Sequence, residues 1–281
     1  MQKWNLVIDV ALCQNCNNCT LVAKDELVGN RFPGYSAPHA PQGAGVFRME
    51  RQVRGTGHSV DVAHMPMMCN HCDDAPCVKA GGGAVKKRAD GIVVIDPERA
   101  KGRRDLVASC PYGAIVWNEA EQLPQSWFFD AHLLDAGWKG PRCASVCPTQ
   151  AIQAVKLSEE AMAERSRQEG LRVLKPELGT RPRVHYKNLH RVDRLFVGAS
   201  VLADVGGRLE CIADAQVELK MAGRTIQHTV TNAFGDFKFD GLEPGSGPLQ
   251  VVVRHAQHGQ CTREAVVSAE SIVLGDLLLG A

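Results

Sequence analysis

The sequence predicts an α+β chain in two parts: a loop-rich region that carries most of the cysteines, followed by a small β-sandwich. Of the 11 cysteines, nine lie between Cys13 and Cys147. In that region glycine and proline separate nearly all of the short apolar runs. From about residue 192 onward, short segments of β-branched or alternating residues follow one another between turn signals, which is typical of a β-sandwich.

The length and composition narrow the class of protein. A chain of 281 residues suggests about two domains. We assign residues 1–155 to the cysteine-bearing region, 156–191 to a helix and linker, and 192–281 to the β-sandwich. A net charge of +1 excludes a strongly basic nucleic-acid-binding protein. The sequence contains no apolar run of about 18 residues, which is the length needed to span a membrane. The first residues contain no apolar signal segment. We therefore expect a cytoplasmic protein whose clustered, reduced cysteines are metal ligands or catalytic thiols.

The first region contains few clear elements. Leu6–Ile8 and Gly91–Ile95 are apolar runs that predict strands. Between residues 29 and 57 only Gly45–Arg54 shows an alternating pattern, which predicts one strand inside a long, partner-facing excursion. Two runs of charge, Lys86–Arg88 and Arg103–Arg104, predict solvated faces.

The segment between the two main parts predicts a helix and then a linker. Ser158 is a suitable N-cap, and Gly170 is a suitable stop for one amphipathic helix. Lys175–Leu189 contains two prolines, so we expect an extended linker there.

Six short segments predict the strands of the β-sandwich. They are Ala199–Leu202, Ala215–Lys220, Thr225–Thr231, Asp236–Phe239, Leu249–Arg254 and Glu264–Val267. The run from Thr231 to Gly245 resembles a hairpin of transthyretin-like and carboxypeptidase-regulatory-like domains. It carries no recognisable pair of nucleophile and base, so the resemblance implies a packing or interaction module.

Two short loops each carry three cysteines at the spacing of an iron–sulfur site. The first loop carries Cys13, Cys16 and Cys19, and the second carries Cys69, Cys72 and Cys77. Neither loop has a further cysteine four residues on, because Ala23 and Gly81 stand there. The fourth ligand of each set must therefore come from elsewhere. Cys110 and Cys147 are candidates, since each precedes a proline that turns the chain away from the cluster.

Zinc is the alternative metal for these loops. A Cys₄ zinc site usually joins two pairs of cysteines, whereas here three thiols lie on one short loop. Two such loops and two Cys-Pro pairs favour a pair of [4Fe-4S] clusters.

These motifs resemble those of the four-motif iron–sulfur subunits of the dimethyl sulfoxide reductase family of molybdenum enzymes. In that family two ferredoxin-like halves are interleaved, and three ligands of one motif join the last ligand of its partner motif. The resemblance covers residues 1–150 and implies two complete clusters. Cluster 1 would be held by Cys13, Cys16, Cys19 and Cys147, and cluster 2 by Cys69, Cys72, Cys77 and Cys110.

The same resemblance implies that two further cluster sites of the family are missing here. The first is wholly lost, and its positions are occupied by Gly81, Ala100, Arg103 and Leu106. The second is vestigial, and its positions are occupied by Ala23, Trp127, Asp130 and Cys143. Trp127 has the bulk to fill the space of a missing cluster, where an empty cavity would be costly. We therefore expect Cys143 to be a buried free thiol.

A narrower resemblance extends over nearly the whole chain. Stretches such as Pro33–Tyr35, Ala131–Asp135 and Lys175–Thr180 are similar to the small subunits of transhydroxylases acting on pyrogallol and phloroglucinol, and of resorcinol hydroxylases. The transhydroxylase small subunits carry three clusters, so this chain would have lost one more. The resemblance implies a non-catalytic electron-transfer subunit. Its partner would be a large catalytic subunit that carries molybdenum bis-pterin, in a heterodimer or larger assembly.

Two other functions are weighed against this one. The clusters could be purely structural, with the subunit acting as a scaffold that covers the active site of the large subunit. A free-standing ferredoxin is the other possibility, but the long excursion at residues 29–57 and the added β domain argue against it.

Overall fold

The computed structural model describes residues 1–42 and 45–280. The chain separates into two compact units. The first comprises Met1–Arg51 and His64–Leu189, and the second comprises Gln52–Ala63 and the chain from His190 onward. Most of the regular structure is β, and the helices are short. Among the described residues, none of the helices has the length and apolar character needed to cross a membrane.

The regular elements before His190 are mostly short. In chain order they are β1 (Lys3–Asp9), α1 (Asn18–Leu27), β2 (Arg48–Thr56), β3 (Ser59–Met67), α2 (Pro76–Gly81), β4 (Val85–Lys87), β5 (Val93–Ile95), α3 (Asp105–Ala108), β6 (Val116–Asn118), β7 (Leu123–Gln125), α4 (Ala131–Asp135), α5 (Arg142–Ser145), β8 (Ile152–Leu157), α6 (Glu159–Glu169) and β9 (Val184–Lys187). Strands β2 and β3, β4 and β5, and β6 and β7 form three two-stranded sheets.

A three-stranded sheet with the order β8-β1-β9 lies in the first unit. Strand β8 runs antiparallel to β1, and β9 runs parallel to it. The prediction of an extended linker at Lys175–Leu189 is wrong in its C-terminal half, because strand β9 lies there. Val184 and Tyr186 alternate with half-exposed neighbours and are fully buried, and they lie opposite Leu6 and Ile8 of β1. Pro176 and Pro182 both precede the strand, and Pro176 begins a single 3₁₀ turn.

The helix predicted between the two parts is confirmed as α6. The Ser158 hydroxyl accepts a hydrogen bond from the amide of Ala161 at 3.2 Å, so it caps the first turn. Gly170 ends the helix with a left-handed φ of 63°, which glycine adopts without the clash that a Cβ would cause. The strand predicted around Gly45–Arg54 is also present as β2, and its hairpin partner β3 was not predicted.

The second unit consists mainly of strands. Its elements are α7 (His190–Asp193), β10 (Leu195–Asp204), β11 (Leu209–Cys211), β12 (Gln216–Met221), β13 (Arg224–Val230), β14 (Asp236–Leu242), β15 (Gly247–His255), β16 (Gly259–Val267) and β17 (Ile272–Leu278). All six predicted segments coincide with strands. Strand β11 is only three residues long, and the burial of β17 does not alternate, so neither shows a clear strand pattern.

Two four-stranded sheets form the second unit. One contains β10 with β11, β14 and β17 as partners, and the other has the order β13-β12-β15-β16. Alternate residues of both sheets contribute to one apolar core, for example Val197 and Val201 from β10 and Val217 and Val251 from the other sheet. The period of two residues along each strand places these side chains on the same side.

Candidate metal centres

The loop between β1 and α1 carries Cys13 and Cys16 and curls tightly, and Cys19 follows as the second residue of α1. Asn15 and Asn17 adopt left-handed φ values of 55° and 60°, which asparagine tolerates better than most residues. The Asn18 side chain donates a hydrogen bond to the carbonyl of Val146 at 3.4 Å, and so ties the loop to the segment that ends at Cys147. Burial raises the pKa of Cys13, and charges at Cys147 and Cys16 would raise it further.

The second loop is more deeply buried than the first. Cys69, Cys72 and Cys77 are all buried, whereas Cys16 of the first loop is exposed. Burial raises the pKa of Cys77 to about 11, with further contributions from charges at Cys110 and Cys72. Cys110 therefore lies beside the second loop although it is more than thirty residues away in sequence. The amide of Ala114 donates to the Cys110 sulfur at 3.4 Å.

Both groups of thiols have the surroundings of an iron–sulfur site. Backbone amides donate to sulfur in each group, including those of Asn15 to Cys13 and of His71 to Cys69. Among residues 1–42 and 45–280, no three His, Cys, Asp or Glu side chains form a group that could hold a single metal ion. The four thiols of a cubane bind four different iron atoms, so they stand further apart than the ligands of one ion. The two groups fit [4Fe-4S] clusters, whose binding would displace the thiol protons.

The positions of the wholly lost site are filled by packed side chains. Ala100 and Leu106 are completely buried in the same apolar cluster as Cys69, Cys72 and Cys77. The Arg103 guanidinium donates to the carbonyls of Ala80 and Gly81, at 3.0 and 3.4 Å, and pairs with Asp105 at 2.7 Å. These carbonyls end α2, where a cation is favoured by the helix dipole. Arg103 therefore has the partners that its charge requires.

A substitution at Gly81 tests whether packed side chains close the wholly lost site to a cluster. A Cβ at Gly81 would lie 2.8 Å from both Cβ and Cγ2 of Val85, so a cysteine there cannot reach a cluster without displacing β4. We expect Gly81→Cys to leave the iron content unchanged and to lower the free energy of opening of α2 by about 1–3 kcal/mol, the usual cost of overpacking. Hydrogen exchange of the α2 amides measures this change. Ala80→Cys, at an exposed position of the same helix, is the control, and an increase in iron in Gly81→Cys would contradict the prediction.

The vestigial site is also filled, mainly by aromatic rings. Trp127 is 1% exposed, and its ring packs against Phe47 and Phe129 at centroid distances of 4.8 and 4.9 Å. The interpretation of Trp127 as a filler is consistent with this packing.

The remaining polar groups of the vestigial site are held by the protein itself. Asp130 accepts a hydrogen bond from the amide of Arg142 at 2.7 Å. Burial raises the pKa of Asp130 despite that bond. Cys143 is a buried free thiol, and burial, together with charges at Asp130 and Cys19, raises its pKa well above the usual value. The structure thus brings Asp130 and Cys143 together next to the first cysteine group.

The sequence reasoning missed a group of charges around the second loop. The prediction of a solvated face at Lys86–Arg88 is wrong for Lys87, whose side chain is only 19% exposed and pairs with Asp73 at 3.0 Å. Arg183, also buried, forms a two-pronged ion pair with Asp73. The alternation of side chains along β4 could have indicated that Lys87 is partly buried, because Lys87 lies on the same face as the buried Val85.

Similarity to known proteins defines the class of protein to which this chain belongs. Residues 60–157 match the model of the 4Fe-4S dicluster domain. This protein belongs to the family of iron–sulfur small subunits that includes the pyrogallol hydroxytransferase small subunit of Pelobacter acidigallici. It is 43% identical to that subunit over 282 aligned residues, which cover 99% of this chain and 100% of the relative.

Other relatives are subunits of further enzymes. One of the tetrathionate reductase subunits of Salmonella typhimurium is 34% identical and matches over 66% of this chain and 73% of its own length. One of the anaerobic dimethyl sulfoxide reductase chains of Escherichia coli is 29% identical over 56% of this chain and 75% of its own length. Among solved structures, 5-hydroxyisourate hydrolase of Klebsiella pneumoniae covers 31% of this chain and 87% of its own at 16% identity, with a TM-score of 0.26, which supports no conclusion about fold.

Proposed function

We propose that this chain is the small subunit of a molybdenum bis-pterin enzyme that hydroxylates or transhydroxylates polyhydroxybenzenes. Its 43% identity over 99% of the chain to a pyrogallol hydroxytransferase small subunit supports this assignment. The large partner subunit would carry the molybdenum and the catalytic site, in a cytoplasmic heterodimer or larger assembly. The chain itself would transfer electrons and take no part in the bond-breaking steps.

The proposal includes two [4Fe-4S] clusters with the eight ligands expected from the sequence. Cluster 1 would be held by Cys13, Cys16, Cys19 and Cys147, and cluster 2 by Cys69, Cys72, Cys77 and Cys110. The main support for two clusters is that Cys110 and Cys147 each lie beside the corresponding three-cysteine loop. In addition, side chains fill the positions of the two missing cluster sites. A [4Fe-4S] cluster exchanges one electron at a potential set by its charge, by hydrogen bonds to sulfur and by exposure.

The protein environments of the two sites differ in a way that matters for electron transfer. Cys16 is exposed, whereas the three thiols of the second loop are buried. Cluster 1 would therefore be accessible to redox partners, and cluster 2 would be shielded from water. The β domain would serve as a transthyretin-like interaction module, which its two sheets around one core support.

A second candidate function is that of a structural scaffold. It is favoured by the position of Cys69, Cys72 and Cys77 inside an apolar cluster with Val85, Ile95 and Leu106. Bound metal would then act mainly as a link that stabilises the fold. The subunit would cover the active site of its partner without exchanging electrons.

Anaerobic analysis of iron and acid-labile sulfide, with reduced-state EPR, tests these proposals. About eight of each per chain would support two cubanes, and about twelve would mean that Asp130 and Cys143 retain a third. Zinc without sulfide would contradict the electron-transfer function. Addition of substrate to the purified complex, with the clusters followed by EPR, then separates the two candidate functions, because scaffold clusters would not be reduced or reoxidised by the substrate of the large subunit.

A further inference from the structure

We propose that Lys87 sets the redox potential of cluster 2, by holding a fixed positive charge against the loop that carries Cys69, Cys72 and Cys77. The inference rests on the ligand set proposed above and adds a residue outside it. Lys87 is a positioning residue: it acts on the cluster through its charge and through the loop backbone.

The Lys87 ammonium is fixed by three acceptors. Its Nζ donates to the carbonyls of His71 and Gly91 at 2.6 and 2.7 Å, and it pairs with Asp73 Oδ1 at 3.0 Å. Only the charged form of lysine has three N–H donors, so this set of partners matches the ammonium. His71 lies between Cys69 and Cys72, so one of these bonds is made to the cysteine loop itself.

The Lys87 ammonium lies against the backbone of the loop that carries Cys69 and Cys72, because it binds the carbonyl of His71 between them. A cluster gains negative charge on reduction, so a cation beside its ligands stabilises the reduced form. Because the site is buried, this effect is weakly screened by salt.

Neighbouring charges do not cancel that of Lys87. Asp73 is paired with Arg183 as well as with Lys87, and Arg183 also pairs with Glu159. Lys3 contacts both carboxylates, at 3.3 Å from Asp73 and 3.0 Å from Glu159. Three cations therefore face two carboxylates in this group. Lys87 is the cation that also binds the cysteine loop through the His71 carbonyl.

The test is an EPR-monitored redox titration of the intact complex with Lys87→Met, Lys87→Arg and Lys86→Met. Lys86 is the adjacent residue of β4, 56% exposed, and its loss removes the same charge. Signals of cluster 2 are identified as those missing from Cys110→Ala, and cluster 1 is the internal reference. At a fixed ambient potential we expect the reduced-to-oxidised ratio of cluster 2 to fall about tenfold in Lys87→Met, which is ~59 mV for one electron. Lys87→Arg and Lys86→Met should remain within about twofold of the wild type.

An unchanged potential in Lys87→Met with intact iron would overturn the inference. If Lys87→Met loses iron, Lys87→Gln, which is neutral but retains two donors, replaces it in the titration. Loss of iron in both variants would make Lys87 a structural support of the loop and would equally overturn the inference. Absence of iron from the wild-type chain would instead refute the proposed function, so the two failures are distinguishable.

Discussion

Replacing Cys110 with alanine is expected to halve the iron content of the chain, from about eight to about four atoms per molecule. Cys110 stands beside the second loop, and its loss would leave cluster 2 with three thiolates in a buried site. A cubane with an open iron in that site would bind poorly and be lost during purification. Iron and sulfide analysis after anaerobic purification measures the change, and the EPR signal of cluster 1 should persist.

Cys143→Ala is the matched control for this experiment. Cys143 is as deeply buried as the thiols of the second loop, and it is the residual cysteine of the vestigial site. We expect this variant to retain about eight iron atoms, because Trp127 and its neighbours fill the adjacent space. A loss of iron in Cys143→Ala, or full iron in Cys110→Ala, would contradict the pairing of the loops with the remote cysteines.

Short-range sequence patterns correctly predicted the ends of helix α6 and the strands of the second unit, because interactions between neighbouring residues determine these features. The cap at Ser158 and the stop at Gly170 depend only on neighbouring backbone groups. The six strands of the second unit follow from alternation between turn signals. The three-cysteine loops and the two Cys-Pro candidates came from local sequence alone, whereas the assignment of Cys147 to the first loop and Cys110 to the second depended on resemblance to a family.

The features that the sequence did not reveal depend on contacts between distant segments. Val184–Lys187 lies in a segment that begins with two prolines, and it forms a strand by pairing with the distant β1. Lys87 lies in a run of basic residues that is typical of a surface. Its burial depends on Asp73 and on the carbonyls of His71 and Gly91, which no local pattern brings together.

Arg54→Met is expected to destabilise the second unit by about 3 kcal/mol, at the lower end of the cost of breaking a buried ion pair. The Arg54 side chain is 2% exposed, whereas Asp61 and Asp240 retain 13% and 19% exposure. Arg54 binds both oxygens of Asp240, at 2.7 and 2.9 Å, and one oxygen of Asp61. It also donates to the carbonyls of His190 and Arg194. Methionine would fill much of the volume but leave these acceptors without their donor.

At neutral pH the destabilisation can be measured without disrupting the metal centres. Hydrogen exchange of the β10 and β14 amides in the full chain reports the opening free energy of the second unit. A loss of about 3 kcal/mol corresponds to roughly a hundredfold faster exchange. Arg51→Met removes an exposed arginine from the same strand and should change the exchange by less than about threefold.

The pH dependence distinguishes loss of the ion pairs from loss of packing alone. Burial would raise the pKa of Asp61, but hydrogen bonds from Arg191 and Arg54 outweigh it and hold the value at about 2. A carboxyl whose pKa is depressed in the folded state stabilises the fold above its unfolded pKa, about 3.9, and loses that contribution as the pH falls toward 2. The difference between wild type and Arg54→Met should therefore shrink between pH 5 and about 2. A difference that stays constant over this range would show that Arg54 stabilises the unit by packing, for example against the Phe196 ring, rather than by its charge.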